Sequence, residues 1–143
     1  MNEYNIKALN DTYKNAHIAL QSITDIMPAV HDGGLKRELK EQYEGYDKFI
    51  GEISSFMLDK SVKPKDINFF KKTMLWSSIK MKTVFDSSKN QIAVLMIKGT
   101  VMGIIELQAM LNESKNLDEE VKPYLEKLVK LEEEYEERLK KFL

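Results

Sequence analysis

Five side chains that can hydrogen-bond fall where helical periodicity otherwise places apolar residues: Tyr13, Gln42, Tyr46, Glu132 and Tyr135. A carboxyl group, a carboxamide and three phenols can donate and accept hydrogen bonds among themselves. Brought to one level of a helical core, they would form a polar layer that holds the helices in register, because buried polar groups must be paired. The same set could instead line a small-molecule pocket, or some of it could face solvent in a different register. His17 and His31 are the chain's two histidines. Two isolated imidazoles supply no metal triad, and neither stands in an arrangement of nucleophile and base. Both are expected to be structural or surface residues.

Composition narrows the chemistry. With no cysteine among its 143 residues, the chain has no disulfide, zinc–thiolate site, iron–sulfur cluster or thiol nucleophile. That fits a reducing cytoplasm, which is the expected location. A net charge of −1 gives no general attraction to nucleic acid or to an anionic membrane, and neither is an expected partner. The start of the sequence, MNEYNIKALND, has no apolar core of a signal peptide. The most apolar stretch, Ile92 to Leu107, contains Lys98 and Glu106. It falls short of the roughly 20 residues of a spanning helix, so no transmembrane segment is expected. The length fits one domain over residues 1–143.

The elements that would position the polar residues read as helices. The first runs from about Asn2 to Met27, with Leu9, Tyr13, Ala16, Leu20, Ile23 and Met27 in steps of four and three. Pro28 ends it, and Gly33 and Gly34 are expected to supply unusual backbone angles in the turn. The second helix, about Leu35 to Asp59, carries the seam Leu35, Leu39, Gln42, Tyr46, Phe49, Ile53 and Phe56. So short a turn makes these two antiparallel. Ser88 and Gln91 have the spacing of a capping box, opening a helix from about Lys89 to Asn112. That helix is apolar nearly all round and is expected to be the most buried. Its Gly99 and Gly103 allow a close neighbour or leave room for a ligand. The last helix begins near Asp118, with Pro123 bending it or delaying its start. Its seam is Val121, Leu125, Leu128, Glu132, Tyr135, Leu139 and Phe142.

Between the second and third of these helices, Asp66 is a plausible cap for an amphipathic helix over Ile67 to Phe85. Residues 60–89 hold eight lysines against Asp66 and Asp86. Phe69, Phe70, Leu75, Trp76 and Met81 cannot all face one narrow groove. The segment reads as a crossover helix with a solvated lysine face, and its surplus apolar surface suits self-association or a protein partner.

The layout resembles the ferritin-like superfamily, in particular an uncharacterised bacterial family with four bundle helices and an added crossover helix. The resemblance rests on Leu9-Asn10-Asp11, the stretch Leu39 to Phe49, and Leu128 through Leu139. It implies an all-α, antiparallel four-helix bundle with a crossover helix between the second and third helices. A dinuclear centre in that architecture takes a Glu from each of two helices and Glu-x-x-His from each of the others. On this sequence the Glu-x-x-His positions become Gln42-x-x-Gly45 and Glu132-x-x-Tyr135. The first helix has Glu3, Asp11 and Asp25, none on its seam, and the third has Gly99 or Thr100 at mid-length with Glu106 beyond. The ligands are expected to be lost, with no metal and no cofactor. The expected function is a non-catalytic structural or protein-interaction module, self-associating as a homo-oligomer. The alternatives are a metal-binding or oxidative-stress protein of ferritin-like type and a bundle that binds a small apolar ligand.

Overall fold

The computed structural model describes residues 1–65, 88–113 and 115–143. Among them are four α-helices and no strand: α1 (Glu3–Ile26), α2 (Gly33–Asp59), α3 (Lys89–Asn112) and α4 (Lys122–Lys140), with a 3-10 turn at Met27–Ala29. The protein is all-α. The crossover helix expected over residues 67–85, with its cap Asp66 and with Phe69, Phe70, Leu75, Trp76 and Met81, lies outside the described residues.

Each helix begins for a local reason. Asn2 caps α1 by accepting from the Asn5 backbone N–H, and Asp32 caps α2 by accepting from Leu35 N at 2.9 Å. Replacing Asp32 with alanine removes that acceptor and is expected to cost about 1 kcal/mol of stability, read from denaturant unfolding. An unchanged midpoint would show that the cap contributes nothing. Gly33 and Gly34 lie in the first turn of α2 and neither has a positive φ, so they do not supply the unusual angles expected of them. Gly34 answers a different need. A Cβ there would lie 3.3 Å from the Phe142 ring, which packs across the start of α2.

Two other starts differ from expectation. Ser88 makes no side-chain cap on α3, its Oγ donating to Asn90 Oδ1 at 2.8 Å; the capping box with Gln91 does not form. Residues 118–121 form a turn in which Val121 and Lys122 both donate to the Asp118 carbonyl. Pro123 therefore sits in the first turn of α4, where its missing N–H costs nothing, and it delays the helix rather than bending it.

Cross-helix contacts fix the directions. Lys60 pairs with Glu120 at one end of α2 and α4, and Arg138 with Glu38 at the other, so these helices are antiparallel. Tyr4 Oη donates to the Glu113 carbonyl and Asn15 Nδ2 to the Gly103 carbonyl, so α1 and α3 are antiparallel too. With α1 and α2 joined by a short turn, the order is up, down, down, up. α2 therefore ends, and α3 begins, at opposite ends of the bundle. Beyond α2, Lys65 N donates to Asn10 Oδ1 of α1 at 3.3 Å. Asn5, fully buried, ties the start of α1 to the α3–α4 turn by donating to the Asn116 carbonyl and accepting from Asp118 N.

The core is drawn from all four seams. Leu9, Ile23, Leu35, Leu39, Ile53, Leu125, Leu128 and Leu139 are buried almost completely. The apolar α3 is not the most buried helix: six of its 24 residues are buried, against twelve of 24 in α1. Among the described residues it packs chiefly on α1 and α4, and part of its apolar surface stays outside. Met102 and Ile105, at 59% and 63% exposure, lie on that outer part. The apolar stretch also runs longer than Ile92 to Leu107, because the helix continues unbroken to Asn112. By length and composition alone α3 could cross a bilayer, one such helix being weak evidence.

Candidate functional site: a cavity over a buried carboxyl group

The five seam polar residues are all buried. Four of them come together between α2 and α4. Tyr46 Oη donates to Glu132 Oε2 at 3.4 Å, and the Tyr46 and Tyr135 rings meet edge to face with centroids 5.2 Å apart. Gln42 is one turn away, its Nε2 donating to Glu38 Oε2 at 3.0 Å. Tyr13 packs instead edge-on against His17 of its own helix, at 4.5 Å. His17 is buried with its Nε2 lacking a hydrogen-bond partner, and burial lowers its pKa. His31 is exposed.

The positions that the ferritin-like pattern assigns to metal ligands are filled in another way. A Cβ on Gly45 would lie 1.8 Å from Tyr135 Oη. The tyrosine hydroxyl thus occupies the space that a ligand side chain on α2 would need. Arg138 closes the outer side of Tyr135, its guanidinium 5.6 Å from the ring centre and paired with Glu38, Glu41 and Glu134. Gln42, Gly45 and Tyr135 offer no carboxylate and no imidazole to join Glu132. The donor set does not fit a dinuclear centre, whose hard ions need several carboxylates with imidazole.

Glu132 is 1% exposed and is the chemically distinctive group. Burial pushes its carboxyl well above the usual range; the Tyr46 bond pulls the other way and the charge of Glu106 adds to the rise. At 3.4 Å that bond is long for an O–H donor, so it offsets little of the desolvation. Its other oxygen, Oε1, has no hydrogen-bond partner. The neighbouring phenols respond to the same dry surroundings. Burial raises Tyr46 well above its ordinary pKa, and Tyr135 is pushed up to about 12, again chiefly by burial.

Glu132 and Tyr46 form part of the floor of a cavity of about 310 Å³ set between α1 and α3. Its walls are Ile18, Ala19 and Ile23 of α1 and Leu95, Met96 and Met102 of α3, with Lys14 and Glu106 among its lining residues. Glu106 stays largely exposed, yet its pKa is raised, first by partial loss of water. Gly99 and Gly103 both line the cavity, so their spacing serves open space as well as close approach. At Gly103 the carbonyl accepts from Asn15, and a Cβ would lie 2.9 to 3.1 Å from oxygens of Glu132 and Asn15. A larger depression of about 380 Å³ between α3 and α4 is lined by Gln108, Lys122, Glu126, Lys130 and Glu133, a shallow and solvated set.

Sequence reasoning placed the floor but missed the walls. Asn15, Lys14, Thr100 and Glu106 gave no signal as cavity residues, because nothing in helical spacing says which flank of a seam will open. No protein family matches the chain, and no curated protein or solved structure matches it significantly.

Proposed function

We propose that this protein is a non-catalytic, ferritin-like bundle that binds a small, largely apolar molecule in the cavity between α1 and α3. The cavity itself carries the reading: apolar walls over a few convergent polar groups with displaced pKa values is what a small-molecule site requires. Supporting the ferritin-like assignment is the up, down, down, up order, which calls for one long connection of the kind that architecture uses. The serine and threonine hydroxyls of the cavity argue for binding over catalysis. Ser22 and Thr100 both donate back to carbonyls of their own helices, at 2.8 and 2.7 Å, rather than facing a base.

The test is a titration with 1-octanol, followed by calorimetry and by methyl NMR. A 310 Å³ cavity holds about a dozen non-hydrogen atoms, since about 150 Å³ accommodates benzene. Saturable binding with shifts at Ile18, Ile23 and Leu95 is expected, together with a rise in melting temperature. Absence of saturable binding by 1-octanol and by its amine and carboxylate counterparts, or shifts confined to other surfaces, would overturn the proposal. Stoichiometric, tightly held iron or manganese in the purified protein would overturn it in favour of metal chemistry.

A second reading is a self-associating module, favoured by Met102 and Ile105 exposed on α3. Light scattering coupled to size exclusion decides it: a strict monomer at high concentration removes this reading and leaves the cavity untouched.

A further inference from the structure

The cavity has a chemical polarity that the binding proposal alone does not use. Its deeply buried polar atoms without a partner are Glu132 Oε1 and Asn15 Oδ1, and with Glu132 ionised both are acceptors. Asn15 cannot simply turn its amide to help, because its Nδ2 already donates to the Gly103 carbonyl at 3.1 Å. The two oxygens flank one point. The place a Cβ would take on Gly103 is 2.9 Å from Glu132 Oε1, 3.0 Å from Oε2 and 3.1 Å from Asn15 Oδ1. They are therefore at most about 6 Å apart, which one nitrogen with two N–H bonds of about 3 Å can bridge. Glycine at this position leaves the approach open.

Charge points the same way. Two carboxyl groups, Glu132 and Glu106, line the cavity against Lys14 as the cation among its described lining residues. Against an ionised Glu132 a hydroxyl brings one donor for two acceptor oxygens, whereas an ammonium brings three donors and no acceptor. A carboxylate ligand would set its charge beside Glu132 and bring no donor.

We propose that the ligand is an amine, an apolar chain or ring ending in an ammonium group that Glu132 and Asn15 hold over Gly103, with Glu106 adding its charge. This rests on the cavity being a binding site at all. In the bound state the ammonium replaces the missing donors, and Glu132 is held as a carboxylate by ligand and Tyr46 together. The groups that face it are then Tyr46 from α2, Lys14 and Asn15 from α1, and Glu106 from α3.

Calorimetric titration of the full chain with octylamine, 1-octanol and octanoate separates the two claims. Octylamine is expected to bind at least tenfold more tightly than 1-octanol, with octanoate weakest. Glu132→Gln keeps the outline of the side chain; it should abolish the amine preference, bringing octylamine to within about twofold of 1-octanol. Should that variant fail to fold, as judged by circular dichroism, Glu106→Gln replaces it and should reduce the preference severalfold. Equal affinities for octylamine and 1-octanol, a preference for octanoate, or an amine preference that survives the substitution would each overturn the ligand class. Those results leave the cavity reading intact. Failure of all three probes to bind would overturn the cavity reading and this inference with it.

Discussion

Replacing Gly45 with alanine is expected to destabilise the protein by about 1 kcal/mol net, although alanine is the better helix former. The same change at Gly51, six residues further along α2, is expected to stabilise it by about 1 kcal/mol. Helix propensity favours alanine over glycine by about 1 kcal/mol at either position. What differs is the space beside the backbone. Nothing lies within 4 Å of a Cβ on Gly51, while one on Gly45 would meet Tyr135 Oη at 1.8 Å and Cζ at 3.0 Å. Tyr135 cannot swing aside freely, since its ring is wedged against Tyr46 and covered by Arg138. Overpacking of this kind costs about 1–3 kcal/mol, which exceeds the gain in propensity. Adding Tyr135→Phe to the Gly45 variant removes the offending oxygen and should restore most of the loss. Urea unfolding of the two single variants and the pair gives the coupling, expected above about 1 kcal/mol. Additive effects would mean that Tyr135 does not fill the space at Gly45.

The stability of the protein should fall as pH rises, and Glu132→Gln should remove most of that fall. Burial raises the Glu132 pKa in the folded state above its ordinary value of 4.5, so the folded protein holds this proton more tightly than the unfolded chain. Stability is then full at acidic pH, below the unfolded pKa. It declines by up to about 1.4 kcal/mol per pH unit from there until the folded protein itself releases the proton. Glu106, also raised by desolvation, contributes with the same sign but weakly, because it is largely exposed. Glutamine keeps the outline of the side chain and its contact with Tyr46 without a proton to lose. The variant should therefore match the natural protein near pH 4 and exceed it increasingly as pH rises until the folded protein releases the proton, with melting temperature against pH as the readout. Parallel profiles for the two proteins would show that Glu132 ionises in the fold as it does in water.

The seams were readable because their physics is local. Leu9, Ala16 and Ile23 on α1, or Leu125, Leu128 and Leu139 on α4, repeat at helical spacing, and the structure buries each of them. The caps were only partly readable. Asp32 holds α2 through a bond three residues long, yet Ser88, with an equally suitable spacing to Gln91, bonds to Asn90 instead. Spacing shows that a hydroxyl can reach a backbone N–H, and the side-chain rotamer decides whether it points there. The burial of α3 was misjudged for a related reason. Apolar composition reports what a helix could bury, while the number of neighbours decides how much it does.

Sequence alone determined the all-helical class, four of the helices to within a few residues, and the unusual placement of Glu132, Tyr46 and Gln42 on apolar seams. Helical periodicity is a property of successive residues, so it is complete in one dimension. Tertiary structure alone decided that Tyr135 fills the space at Gly45, and that Asn15 and Gly103 meet Glu132 across three helices. It also decided that a cavity opens between α1 and α3 above that carboxyl. Those facts depend on which helix faces which, and at what distance, and they join residues up to 117 positions apart in the chain, as Glu132 and Asn15 are.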